Sequence, residues 1–199
     1  MTMNRRLFLS FLALSPVASA HSPWGQYTVY RQKHLLIMSS KGDPDSYPYS
    51  EILVNAINKE EPSARARPAR ARDLERCYSL FLTDQMQFML LPRESSTQMR
   101  EASGVFQGRE PLPMKTVYEF DDLVLSVRSD MDANIIRIIT YSILERLGDL
   151  PNAANPSMML AAKHVHVESL TAIETFLSEQ HSSLVNYSAE CKPVFVLCS

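Results

Sequence analysis

Apolar and polar positions along this chain alternate between two periods, and the order in which the periods succeed one another predicts the elements. His34-Leu35-Leu36-Ile37-Met38 reads as a first central strand. The turn signals Lys41-Gly42-Asp43-Pro44-Asp45 follow, and Ser46-Tyr47-Pro48 then opens a helix with Ile52, Leu53, Ala56 and Ile57 on one face. Pro62 ends it. Ala64 to Ala69 alternates Ala with Arg in a strand-like period, and Asp73 introduces a second helix with Leu74, Cys77, Tyr78, Phe81 and Leu82 at helical spacing. Met86 to Leu91 is a near-continuous apolar run, as expected of a strand covered on both faces. The succession predicts a βαβαβ unit, preceded by a strand-like Tyr27 to Tyr30.

Residues 93–115 are rich in turn formers and predict a crossover or hinge with one short helix around Thr97 to Ala102. Thr116 to Val127 reads as one or two extended segments. Asp130 and Asp132 favour a helix start before Ile135, Ile136, Ile139, Ile143 and Leu147, which Gly148 and Pro151 stop. A last helix is expected from about Ser169 to Gln180, and Val194-Phe195-Val196-Leu197 could add an edge strand. The fold class that follows is α/β, with three layers around a mostly parallel sheet, in one domain over 21–199.

The segment 1–20 changes the picture most. A basic start at Arg5-Arg6, an apolar core and small residues at Ala18-Ser19-Ala20 form an export signal, and Leu7-Phe8-Leu9 after the arginine pair suggests the twin-arginine variant. Cleavage there would leave a periplasmic chain beginning at His21. The net charge of -2 loses two positive charges with the leader, which argues against a general nucleic-acid binder. No apolar run approaches the roughly 20 residues of a bilayer span, so none is expected after cleavage.

Chemistry-bearing motifs are sparse. The five glycines form neither G-x-G-x-x-G nor G-x-x-x-x-G-K, and there is no G-x-S-x-G or H-E-x-x-H, so no local signature of a nucleotide site, serine hydrolase or zincin exists. The expectation is a protein without enzymatic activity or cofactor. Of the three cysteines, Cys191 and Cys198 are the closer pair for a disulfide, while Cys77 reads as a buried thiol. Asp121-Asp122 reads as a solvated turn. Arg65, Arg67, Arg70 and Arg72 form the densest basic cluster. Two-residue spacing would put Arg65 and Arg67 on one face of an edge strand, guarding it from aggregation. Arg70 and Arg72 fall where a strand ends and a helix starts, and arginine's planar fork suits carboxylate or phosphate there. A copper or other metal carrier is the alternative, with a terminal His21 and the pair His164/His166 as ligands beside some of the ten methionines.

The loop Ser39-Ser40-Lys41-Gly42-Asp43-Pro44-Asp45-Ser46-Tyr47-Pro48-Tyr49, between an apolar strand and a helix, resembles the first ligand loop of type II periplasmic solute-binding proteins, closest to the TAXI group that serves TRAP transporters. Thr116 to Leu147 is similar to the returning strand and helix of such receptors. His166 resembles the family's histidine near the carboxyl end, although Val167-Glu168-Ser169 follow it where the family has proline, glycine and alanine. The resemblance covers about one lobe. It implies a small, anionic organic solute, a membrane transporter as partner, and ligand groups at the carboxyl ends of parallel strands. Those groups are Ser40, Asp43, Ser46 and Tyr47, with Arg70, Arg72 and His166.

Overall fold

The computed structural model describes the backbone of residues 33–190 and the side chains of 33–181. The expectations placed on the leader, His21, Tyr27 to Tyr30, Cys191, Cys198 and the tail from Val194 lie outside those residues. From His34 onward these residues belong to one compact unit.

The protein is α/β. Among the described residues, five strands, β1 (Leu36–Ser40), β2 (Arg67–Ala71), β3 (Phe88–Pro92), β4 (Met114–Phe120) and β5 (Leu123–Arg128), form one open sheet in the order β2-β1-β3-β5-β4. Among the described residues, six helices accompany them: α1 (Ser46–Glu60), α2 (Leu74–Leu82), α3 (Arg93–Glu101), α4 (Ala133–Glu145), α5 (Pro156–Met159) and α6 (Val167–Glu190). Helices cover both faces. One core joins Ile37, Phe88, Leu90 and Leu125 to Leu53 of α1, Ile139 of α4 and Ile173 of α6. The other joins Met38, Met89 and Leu91 to Phe81 of α2 and Met99 of α3. Successive residues of β3 thus enter opposite cores, which is why its sequence is apolar without alternation.

The expectation of a mostly parallel sheet is corrected. β1 runs parallel to both β2 and β3, but β5 is antiparallel to both β3 and β4. The cause is the connection Asp121-Asp122 between β4 and β5, since a parallel return needs a crossover of about a dozen residues and two residues permit a hairpin. Asp121 takes a left-handed conformation in that turn, φ 54°, which short polar side chains tolerate. Arg65 is a second correction. It sits at φ 46° after a turn of 3₁₀ helix, so it precedes β2 and shares no strand face with Arg67. β2 is an edge strand, which explains how Pro68 fits within it.

The helix starts follow their caps. The Asp73 carboxylate accepts from Arg76 N at 2.8 Å, and that of Asp132 from Asn134 N at 2.8 Å. Ile52, expected inward on α1, is 38% exposed, while Val54 takes the buried position. α3 begins at Arg93, one turn before the expected helix. The rest of the 93–115 segment is fastened to α2: Tyr78 donates its hydroxyl to Glu110 O at 2.7 Å, and Arg109 pairs with Glu75 while lying over the Tyr78 ring. Gly104 suits this turn through its backbone, since φ 57° strains residues with a side chain; a Cβ would also displace the end of Gln98.

Candidate functional site

Parallel pairing sets Ser39 opposite Arg70 and Ser40 opposite Ala71, so the loops leaving β1 and β2 emerge side by side. Lys41 N donates to Ala71 O at 2.9 Å and ties the two loops together. Ser40 is buried, and its Oγ accepts from Gly42 N at 3.1 Å. Asp43 folds back over the start of α1, its carboxylate accepting from Ser46 N at 2.9 Å. That negative charge suits the positive end of a 15-residue helix, and an incoming anion would compete with it.

Ser46, Tyr47 and Arg70 have more capacity to receive a ligand. Ser46 is fully buried and its Oγ has no hydrogen-bond partner among the described residues. The guanidinium of Arg70 lies 4.6 Å from the centre of the Tyr47 ring, a cation–π contact that holds the charge beside the loop while leaving its N–H groups available. Arg72 points elsewhere. Its side chain is 85% exposed and its Nε donates to Asp73 at 2.7 Å, so it supports the cap of α2. Five of the seven expected residues therefore converge, and within them Ser40 and Asp43 shape the loop.

His166 lies at the opposite edge of the sheet. Its N donates to Thr116 O at 2.8 Å, and Thr116 belongs to β4, whereas the converging loops leave β1 and β2. The ring is buried, with Nδ1 accepting from Glu168 N at 3.2 Å in the first turn of α6. Burial pulls its pKa below the ordinary histidine value, against a backbone hydrogen bond with Ser129. His164, two residues earlier, is exposed and lines a different space. No group of three His, Cys, Asp or Glu able to hold a metal occurs among the described residues.

Cys77 is buried as expected, and burial pushes its thiol up to about 12, with the charge of Asp73 adding to the effect. That thiol is unsuited to nucleophilic work at neutral pH.

No motif announces a cavity of about 820 Å³ bounded by α3, β4, β5 and the segment 152–164. Arg93, Ser96 and Arg100 line it from one face of α3, at spacings of three and four that a helical reading beginning at Arg93 would have exposed. The segment across from them is bolted to the sheet. Tyr118 donates its hydroxyl to Ala154 O at 2.6 Å, Ala154 N donates to Glu119 O at 2.9 Å, and Tyr49 donates to Pro151 O at 2.7 Å.

No protein-family model matches the chain, and no curated protein matches it.

Proposed function

We propose that this chain is an exported, non-catalytic receptor that binds a small, anionic organic solute and delivers it to a TRAP-type membrane transporter. The observation that carries the reading is the contact of Arg70 with Tyr47 where β1 and β2 end, next to the start of α1, where the buried Ser46 hydroxyl has no partner among the described residues. An oxyanion there would take hydrogen bonds from the Arg70 fork and, displacing the Asp43 carboxylate from the positive end of the helix, would open the way to the Ser46 hydroxyl, which is closed to solvent as the loop stands. The resemblance of the Ser39 to Tyr49 loop to the TAXI group supplies the transporter, and the segment 1–20 supplies the periplasm. Helices on both faces of the sheet are consistent with one three-layer lobe of a type II periplasmic binding protein.

Thermal-shift screening of the protein against organic acids, amino acids and divalent metals tests the reading. A ligand at a hundred times its Kd adds about 2.7 kcal/mol to apparent stability. An organic acid should raise Tm, Arg70→Gln should remove the rise, and Arg72→Gln should keep it. A rise with copper alone would sink the receptor reading and favour the metal carrier. A rise that survives Arg70→Gln would move the solute away from this loop.

A further inference from the structure

We propose that the cavity between α3 and the segment 152–164 is a second binding site, for a small monocarboxylate with an apolar body, held by the Arg100 guanidinium and the Ser96 hydroxyl. It is separate from the loop at β1 and β2, and none of the residues lining it belongs to that loop. At about 820 Å³ it has the volume of a small-molecule pocket.

The polar groups of its α3 wall are incomplete. Ser96 is 1% exposed and its Oγ has no partner, and Arg100 Nε is likewise buried and unpartnered among the described residues. These two residues are four apart, on the same face of α3. Arg93, one turn before Ser96, makes the contrast: its guanidinium pairs with Glu119 at 2.7 Å and donates to Asp121 O at 2.8 Å. Arg100 has no such carboxylate. Its hydrogen bond to a side chain is a long one, Nη2 to Thr97 Oγ1 at 3.2 Å. A half-buried cation with a vacant donor and no carboxylate in direct contact, Glu101 and Glu119 acting on it only from farther away, is the arrangement an oxyanion completes. Neither Nε nor Oγ is open to solvent as the wall stands, so capture requires the Arg100 fork to turn and release Thr97.

The remaining walls restrict the ligand. Val124, Ala154, Met158 and Met159 offer apolar surface for its body. The charged groups balance, Arg93, Arg100 and Lys163 against Glu101, Glu119 and Asp121, so a second negative charge on the ligand would meet no surplus cation. Asp121, Asn152 and His164, which line it, all hold left-handed backbone, with φ 54°, 55° and 64°, a conformation that Asp, Asn and His adopt more readily than other non-glycine residues.

Titration of the full chain with sodium phenylacetate, followed by calorimetry or by backbone amide shifts, tests the proposal against three comparison probes: neutral phenylacetamide, succinate and inorganic phosphate. Phenylacetate should bind saturably. Phenylacetamide, and phenylacetate on Arg100→Gln, should bind at least about 10-fold more weakly, the loss expected for a charged hydrogen bond. Arg70→Gln should change nothing. Because Arg100→Gln alters a half-buried side chain, Met158→Glu provides a variant at a 71% exposed position lining the cavity; the new carboxylate should weaken phenylacetate by a larger factor than phenylacetamide, which loses only the apolar contact. Equal binding of the amide, preference for succinate or phosphate, indifference to both variants, or no saturation up to about 10 mM would each overturn the proposal.

Discussion

Replacing Tyr118 by Phe removes one oxygen and nothing else, and the structure fixes what that oxygen does. The ring is fully buried and packs 5.5 Å from Phe120, so its apolar contribution is retained. What disappears is the 2.6 Å hydrogen bond to Ala154 O. A net hydrogen bond contributes about 0.5–1.5 kcal/mol, and an acceptor left dry costs about 1–3 kcal/mol. Ala154 is half-buried, so water recovers part of that loss, and the expected cost is about 1–2 kcal/mol. For a domain of this size, this lowers Tm by roughly 2–8 °C. Tyr49→Phe removes the corresponding bond to Pro151 O, which is solvent-exposed, and should cost about 0.5–1 kcal/mol. The two hydroxyls restrain one short segment, so the double variant should depart from the sum of the singles. Urea unfolding of the three variants measures this, and hydrogen exchange at Ala154 N, which donates to Glu119 O, reports whether the segment itself loosens. A Tyr118→Phe protein as stable as the parent within about 0.3 kcal/mol, or less affected than Tyr49→Phe, would refute the idea that Tyr118 is the main bolt of this wall.

Cys77 should resist iodoacetamide at pH 8 in the folded protein and react once urea unfolds it, because burial holds its pKa near 12; peptide mapping separates it from Cys191 and Cys198, and native labelling at a free-thiol rate would contradict the burial. Removing the Asp132 carboxylate frees Asn134 N and Ile135 N at the start of α4, so Asp132→Ala should lower stability by about 1 kcal/mol in a denaturant titration. His166 makes stability depend on acid. Its folded pKa lies below 6.5, so the unfolded chain takes up the proton first as pH falls; stability is full above about 6.5 and declines with acid through the folded pKa. The urea midpoint should therefore fall less between pH 7.5 and 5.5 in His166→Gln than in the parent, and identical falls would exclude this residue as the cause.

Local signals explain which parts of the fold were legible. Asp73 and Asp132 announced their helices because a carboxylate at an N-cap satisfies free backbone N–H groups whatever the tertiary context. The unbroken apolar run of β3 announced a strand buried on both faces, and the structure divides it between two cores. Strand direction was less accessible. The direction of β5 depends on the length of the connection before it, and Thr116 to Val127 could be divided only by recognising Asp121-Asp122 as a two-residue hairpin turn. Ile52 failed for another reason: α1 meets the sheet and α4 together, so its buried stripe is set by two neighbours and shifts toward Val54.

The candidate site divides along the same line. Ser40 to Tyr47 and Arg70 come together because the β1–β2 pairing is parallel and both strands end at one level, a consequence of the alternating strand and helix pattern that the sequence carries. His166 was associated with them by resemblance alone, and the chain carries it to the β4 edge. The α3 cavity is a product of three separate stretches, 93–101, 116–124 and 152–164, none of which has a motif. Ser96 and Arg100 look like ordinary exposed helix residues until the third stretch is bolted across them by Tyr118 and Tyr49. This makes the wall and the proposed carboxylate site energetically one object. If Tyr118→Phe loosens the segment, phenylacetate affinity should fall with it although Tyr118 is not among the residues lining the cavity; affinity that survives a loosened wall would mean that α3 alone holds the ligand.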